Sequence, residues 1–177
     1  FVVVLGDRSG REGVSLKLSR VSAITFPDVS GFAGKTVTSV KLLLVNAHPD
    51  WWVNFVVLQL DQAYNPSTVT WSDLYDYDGG ERTIEWDDEK TYGSYEMNED
   101  KPVGFLIEVD LDPEILSKGE GDYWLVLKAT AEDADDANFF GTADDNEDRH
   151  PKLVITFSDG TSEVTPTTEP TSEATSG

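Results

Sequence analysis

Val103-Gly-Phe-Leu-Ile-Glu-Val-Asp-Leu111 is the stretch on which the fold turns. Val103, Phe105, Ile107, Val109 and Leu111 recur at every second position, with Gly104, Glu108 and Asp110 between them. Successive side chains of an extended chain point to opposite faces. A period of two therefore makes one apolar and one mostly polar face, the mark of a strand half buried in a sheet. The same alternation returns in Val14/Leu16/Leu18 against Ser15/Lys17/Ser19, and in Leu153/Ile155/Phe157 against Lys152/Thr156. Runs 40–45, 53–60 and 123–127 are apolar with little alternation, which suggests strands covered on both faces, or on one face with substantial aromatic cover. Weaker strand signals at 2–5, 68–71, 82–86 and 138–141 bring the expected number to nine or ten.

Helical periodicity is nearly absent. Only Asp112-Pro-Glu-Ile-Leu-Ser-Lys-Gly119 reads as a helical turn, with Asp as N-cap, Pro at the first position and Gly past the end. Many short strands separated by turn residues, without a βαβ rhythm, predict an all-β chain: an antiparallel β-sandwich of jelly-roll type with one short helical turn.

At 177 residues the chain has the length of one domain. Residues 1–160 carry the sandwich pattern. Residues 161–177 hold six Thr, three Ser, three Glu and two Pro, with Val164 the one large aliphatic side chain. Such a segment cannot bury enough apolar surface to offset the entropy of ordering itself, so it reads as a linker of the Thr/Pro/Ser kind common in extracellular modular proteins. The chain opens on Phe1 rather than Met, which is expected of a processed mature form or an excised piece.

Thirteen Lys and Arg against 34 Asp and Glu leave a formal charge of −21. Nucleic-acid binding relies on clustered cations that release counterions, so a nucleic-acid partner is excluded, and an anionic lipid surface is disfavoured in the same way. No run approaches the roughly 18 apolar residues that would insert into a bilayer. Without cysteine, and with His48 and His150 as the only histidines, thiolate chemistry and three-histidine zinc are excluded.

Four segments in fixed order carry a resemblance to a known family. Ser15-Leu-Lys-Leu-Ser19 is followed by a loop through Gly31 and then by Ala33-Gly-Lys-Thr-Val-Thr-Ser-Val-Lys-Leu-Leu-Leu44. Tyr64-Asn-Pro-Ser-Thr-Val-Thr-Trp-Ser-Asp73 is the second. The third runs from Ile107-Glu-Val-Asp-Leu111 through the helical turn to Tyr123-Trp-Leu-Val-Leu-Lys128. The fourth is Phe140-Gly-Thr-Ala-Asp144, closing with Arg149-His-Pro-Lys-Leu-Val-Ile-Thr-Phe157. Over roughly residues 10–158 this resembles the DNRLRE domain, a β-jelly-roll module of secreted and cell-surface proteins in bacteria and archaea, some members of which are classed as carbohydrate-binding modules. His150 stands before Pro151 where that family commonly has an arginine. The resemblance implies a jelly roll, a secreted or cell-surface location, and a polysaccharide or cell-surface glycan as partner.

Two constellations bear on ligands. A sugar ring offers an apolar C–H face that stacks on indole or phenol rings while neighbouring carboxylates bind its hydroxyls. Trp51 and Trp52 beside His48 and Asp50, then Tyr75, Tyr77, Trp86, Tyr92 and Tyr95, are the candidates. Trp51 and Trp52 point to opposite faces if they lie on a strand, which places at least one at a rim, whereas Trp71 and Trp124 sit in apolar runs and are expected inside. The second constellation is acidic: Asp133, Asp135, Asp136, Asp144 and Asp145 flank the strand at 138–141. Carboxylates this dense repel one another, and a hard cation accepting six to eight oxygens relieves the repulsion, so calcium is the expected ion. A solvated charge run is the competing reading.

No nucleophile elbow and no phosphate-cradling glycine loop is present, and thirty-four acids guarantee chance carboxylate pairs, so an enzyme is not expected. The leading expectation is a noncatalytic extracellular module that binds carbohydrate or mediates surface attachment, stabilised by calcium. The alternative is a structural subunit of a surface layer or fibre. In that reading Phe1-Val-Val-Val-Leu5, otherwise the first strand of its own sheet, adds to the open edge of another copy.

Overall fold

The structure, a computed structural model, describes residues 14–16, 21–48, 54–60, 87, 89–96, 99, 101–130, 137–141 and 144–158. They form an antiparallel β-sandwich. Its strands are β1 (Val14–Leu16), β2 (Val21–Val29), β3 (Thr36–Val45), β4 (Phe55–Gln59), β5 (Gly93–Tyr95), β6 (Leu106–Leu111), β7 (Gly121–Ala129), β8 (Ala137–Phe139) and β9 (Lys152–Ser158). One sheet has the order β2-β7-β4-β5 and the other the order β6-β3-β9, every pairing antiparallel. Chain-adjacent strands lie largely in opposite sheets, the winding of a jelly roll. The two sheets thus hold seven strands among the described residues, not nine or ten; β1 and β8 form a separate short ladder. The weaker strand signals at 2–5, 68–71 and 82–86 lie outside the described residues.

Between the sheets, Ile24, Phe55, Val57, Tyr123, Leu125 and Leu127 from one side meet Val40, Leu42, Leu44, Ile107 and Val109 from the other. Phe139 closes the core beside Phe55, with ring centroids 5.9 Å apart in an edge-to-face arrangement. In β9, Leu153, Ile155 and Phe157 lie against this core and the residues between them are exposed, as the alternation requires.

Local chemistry explains where the structure departs from the pattern. The strand expected over 103–111 begins only at Leu106, because Gly104 at φ +87° makes a turn closed by the Phe105 amide donating to the Pro102 carbonyl. Val103 and Phe105 are consequently exposed, while Ile107, Val109 and Leu111 face the core. Residues 21–29, expected as loop, form β2. Ser22 and Thr25 are buried with Ala23 and Ile24, so both faces of the strand are covered and no alternation betrays it. Pro27 sits at the register shift between Phe26 and Val29, where its missing N–H costs no ladder bond.

The expected turn at 112–119 is a 3₁₀ turn, Pro113–Leu116, capped by the Asp112 carboxylate accepting from the Glu114 amide and burying Ile115 and Leu116. A second 3₁₀ turn, Glu147–Arg149, was not expected. Trp124 is half-buried on the face of β7 turned away from the core, not inside, and the Lys118 ammonium lies 4.7 Å from its ring.

Candidate functional site

Strand direction sorts the connections to the two ends of the sandwich. β3 ends, β4 begins, β5 ends, β6 begins and β7 ends at one of them: Phe55 is paired with both Tyr95 and Ala129, and Val45 with Leu106. Connections 46–54, 96–105, 130–136 and 140–151 therefore start or finish there. Their roots are hydrogen-bonded to one another. The Thr130 amide donates to the Asn54 carbonyl (2.8 Å), the Phe140 amide to the Val45 carbonyl (2.9 Å), the Asn46 amide to the Phe105 carbonyl (2.9 Å) and the Gly104 amide to the Asn46 carbonyl (2.8 Å).

Asn46 is the centre of this network, and it has no exposed surface. Its Nδ2 donates to the carbonyls of His48 (2.6 Å) and Lys101 (2.6 Å) and more distantly to that of Pro102 (3.3 Å). It also bridges to Phe139 of β8. Among the described residues, no hydrogen-bond partner faces its side-chain oxygen Oδ1. Beside it, Lys101 donates to Glu99 (2.6 Å); this contact holds the Glu99 carboxyl below, and the Lys101 ammonium above, its ordinary value.

The acidic loop after β8 is organised by its own side chains. Asp144 accepts from the Asn146 amide (2.9 Å), Asn146 accepts from the Asp148 amide (3.1 Å), and His150 Nε2 lies 2.7 Å from the Asp144 carbonyl. The Arg149 guanidinium stands 3.7 Å from the Asp144 carboxylate and packs over the Phe140 ring. Asp145 is exposed. Among the described residues, no three His, Asp or Glu side chains come together in a metal-holding group.

Of the residues singled out in the sequence, Asp144 and Asp145 are thus placed on the connection between β8 and β9. Asp50, Trp51, Trp52, Asp133, Asp135 and Asp136 lie outside the described residues, but the residues that flank them, His48 and Asn54 on one side and Thr130 and Ala137 on the other, belong to this same end. Tyr75 and Tyr77 also lie outside the described residues. The connection that carries them leaves β4 at Leu60 and returns at Tyr92, both at the opposite end, where the Leu60 amide donates to the Trp124 carbonyl and the Tyr92 amide to that of Val57.

Asn46 and Glu120 were missed in the sequence. Asn46 carries a faint signal, a polar residue closing an apolar run ahead of His48-Pro49. Glu120 carries none. One of its carboxylate oxygens accepts from three successive amides, Gly31 (2.6 Å), Phe32 (2.9 Å) and Ala33 (2.9 Å), pinning the β2–β3 loop at the opposite end. Those amides, Ala33 foremost, hold its carboxyl below the ordinary value. In comparisons with known proteins, no family model matches this chain and no curated protein matches it.

Proposed function

We propose that the chain is a noncatalytic extracellular or cell-surface module that binds carbohydrate or attaches its parent protein to a glycan-bearing surface. It is read as a relative of the DNRLRE-type jelly rolls. The observation that carries the reading is the end of the sandwich where four connections share one hydrogen-bonded root, because the segment holding Asp50, Trp51 and Trp52 is rooted there at both His48 and Asn54. Rigid strands below and short polar loops above are the arrangement in which binding residues are commonly presented. A charge of −21 repels uronates and sulfated sugars, which favours a neutral glycan. Calcium enters as a stabiliser held by Asp133, Asp135, Asp136, Asp144 and Asp145, whose two connections flank β8.

The test is tryptophan fluorescence titration with soluble neutral oligosaccharides, the hexamers of cello-, xylo-, manno- and chito-series, in calcium and again in chelator. A saturable change is expected, weaker in chelator. Trp51→Ala or Trp52→Ala is expected to lower affinity about tenfold or more, the scale of an aromatic anchor. Silence across the series overturns the reading.

A further inference from the structure

We infer that Phe105 is a sugar-stacking platform: its ring takes the C–H face of one neutral pyranose unit, and the Glu99–Lys101 pair beside it binds the hydroxyls. This rests on the function proposed above and adds to it a contact on the β5–β6 connection.

Among the described residues, Phe105 is the one aromatic side chain that stands exposed; the others are buried or half-buried. Tyr92 belongs to the core and Tyr95 stacks on Phe55 with ring centroids 5.9 Å apart, so neither offers a free face, and Trp86 lies outside the described residues. Strand alternation alone would turn Phe105 inward with Ile107 and Val109. The Gly104 turn carries it outward instead. Its backbone is held on both sides. The Phe105 amide donates to the Pro102 carbonyl (3.0 Å), its carbonyl accepts from the Asn46 amide (2.9 Å), and the Gly104 amide donates to the Asn46 carbonyl (2.8 Å). A ring exposed on so fixed a backbone has little freedom left to lose when a ligand docks, which is how preorganisation raises affinity.

Its neighbours supply what the rest of a sugar needs. The Lys101 ammonium stands 5.2 Å from the centre of the ring and donates to Glu99 at 2.6 Å. The lysine side chain is 18% exposed and that of Glu99 75%, so a fixed donor holds an accessible carboxylate with acceptor sites to spare for hydroxyls. Because each charge cancels the other, the pair selects no anion, in keeping with a neutral glycan.

Area decides the kind of ligand. Phe105 is 37% exposed, and the apolar residues beside it, Val103 and Leu106, are 51% and 46% exposed. Together they leave open on the order of 250 Å², far short of the roughly 800 Å² per partner that a stable protein interface covers. A patch of that size suits one or two sugar rings.

The experiment titrates the full chain with the cello-, xylo-, manno- and chito-hexamers by isothermal titration calorimetry, a readout that needs no tryptophan near the sugar. Wild type is compared with Phe105→Ala, Phe105→Leu, Phe105→Tyr and Glu99→Ala, and each variant is also melted. Stacking requires an affinity loss of about tenfold for Phe105→Ala and Phe105→Leu alike, since leucine restores apolar bulk without a flat face. Phe105→Tyr should stay within about twofold of the wild type and Glu99→Ala should lose about threefold. Every melting midpoint should stay within about 2 °C of the wild type, because the ring lies outside the core. Affinity kept by Phe105→Ala or Phe105→Leu, or lost in Phe105→Tyr, overturns the inference and leaves the glycan reading standing. A wild type that gives no binding heat with any hexamer overturns both.

Discussion

Two rows of side chains occupy equivalent places on the outward faces of the two sheets, and they differ in every physical respect. Across the four-stranded sheet run Ala23, Val126 and Leu58, in register and with no exposed surface on any of them. Across the three-stranded sheet run Asp110, Lys41 and Val154, likewise in register, with Val154 39% exposed and Lys41 donating to the neighbouring Glu108 at 2.8 Å. The first sheet is buried on both faces along this row, although Val56 and Trp124 beside it keep part of their surface, and the second is buried on one. That difference decides which strands advertise themselves. β6 and β9 alternate cleanly because water holds their outer face, whereas β4 and the 125–127 stretch of β7 are apolar on both faces and β2 buries its polar Ser22 and Thr25.

The sharpest way to break this comparison is to place a charge in each row. Val126→Asp buries an unpaired carboxylate and is expected to cost about 3–5 kcal/mol or prevent folding, while Val154→Asp, facing Lys41, is expected to change stability by about 0.5 kcal/mol or less. Val126→Thr against Val154→Thr gives a version that folds. Equal urea midpoints for that pair would show the outer face of the four-stranded sheet to be wet.

A smaller effect is expected where the sheets meet edge to edge. Gly93 of β5 lies so close to β6 that a Cβ there would stand 2.6 Å from the Asp110 carbonyl oxygen and 2.7 Å from Leu111 Cδ2. Gly93→Ala should cost about 1–3 kcal/mol by forcing β5 and β6 apart. A denaturation curve that superimposes on the wild type would mean that this edge of the sandwich is loosely closed.

The smallest effect concerns the loop that carries the chain from β2 in one sheet to β3 in the other. Glu120 is ionised at lower pH in the folded chain than in the unfolded one, so its stabilisation is complete above the ordinary carboxylate value of 4.5 and fades as pH falls through the depressed folded value. Glu120→Gln should therefore melt a little below the wild type at pH 7, and the gap should close on acidification. A gap of constant size from pH 7 to pH 3 would show that the three amides contribute no preference for the charged form.

Much of the sandwich was legible in the sequence because period-two alternation reports a sheet with one wet face. Leu153 to Phe157 and Ile107 to Leu111 could be read directly, and so could the capped turn at Asp112. The apolar runs 40–45, 53–60 and 123–127 were read as strands covered on both faces or on one face with aromatic cover; β3, β4 and β7 fall there, and Lys41, Leu43, Val56 and Trp124 each keep part of their surface on the outer face. β2 stayed hidden because Ser22 and Thr25 look like loop residues until a neighbouring strand covers them. At the end of the sandwich where four connections meet, the sequence offered residue types, carboxylates and paired indoles, without saying which loops share a root.

Composition and alternation by themselves determined an acidic all-β chain, since both are local properties that depend only on neighbouring residues and the geometry of an extended backbone. Only the tertiary structure decided that Asn46 joins two loops more than fifty residues apart, and that Glu120 closes a loop almost ninety residues earlier. Such contacts are set by strand order and register, and no period in the chain encodes a pairing between residues so distant along it.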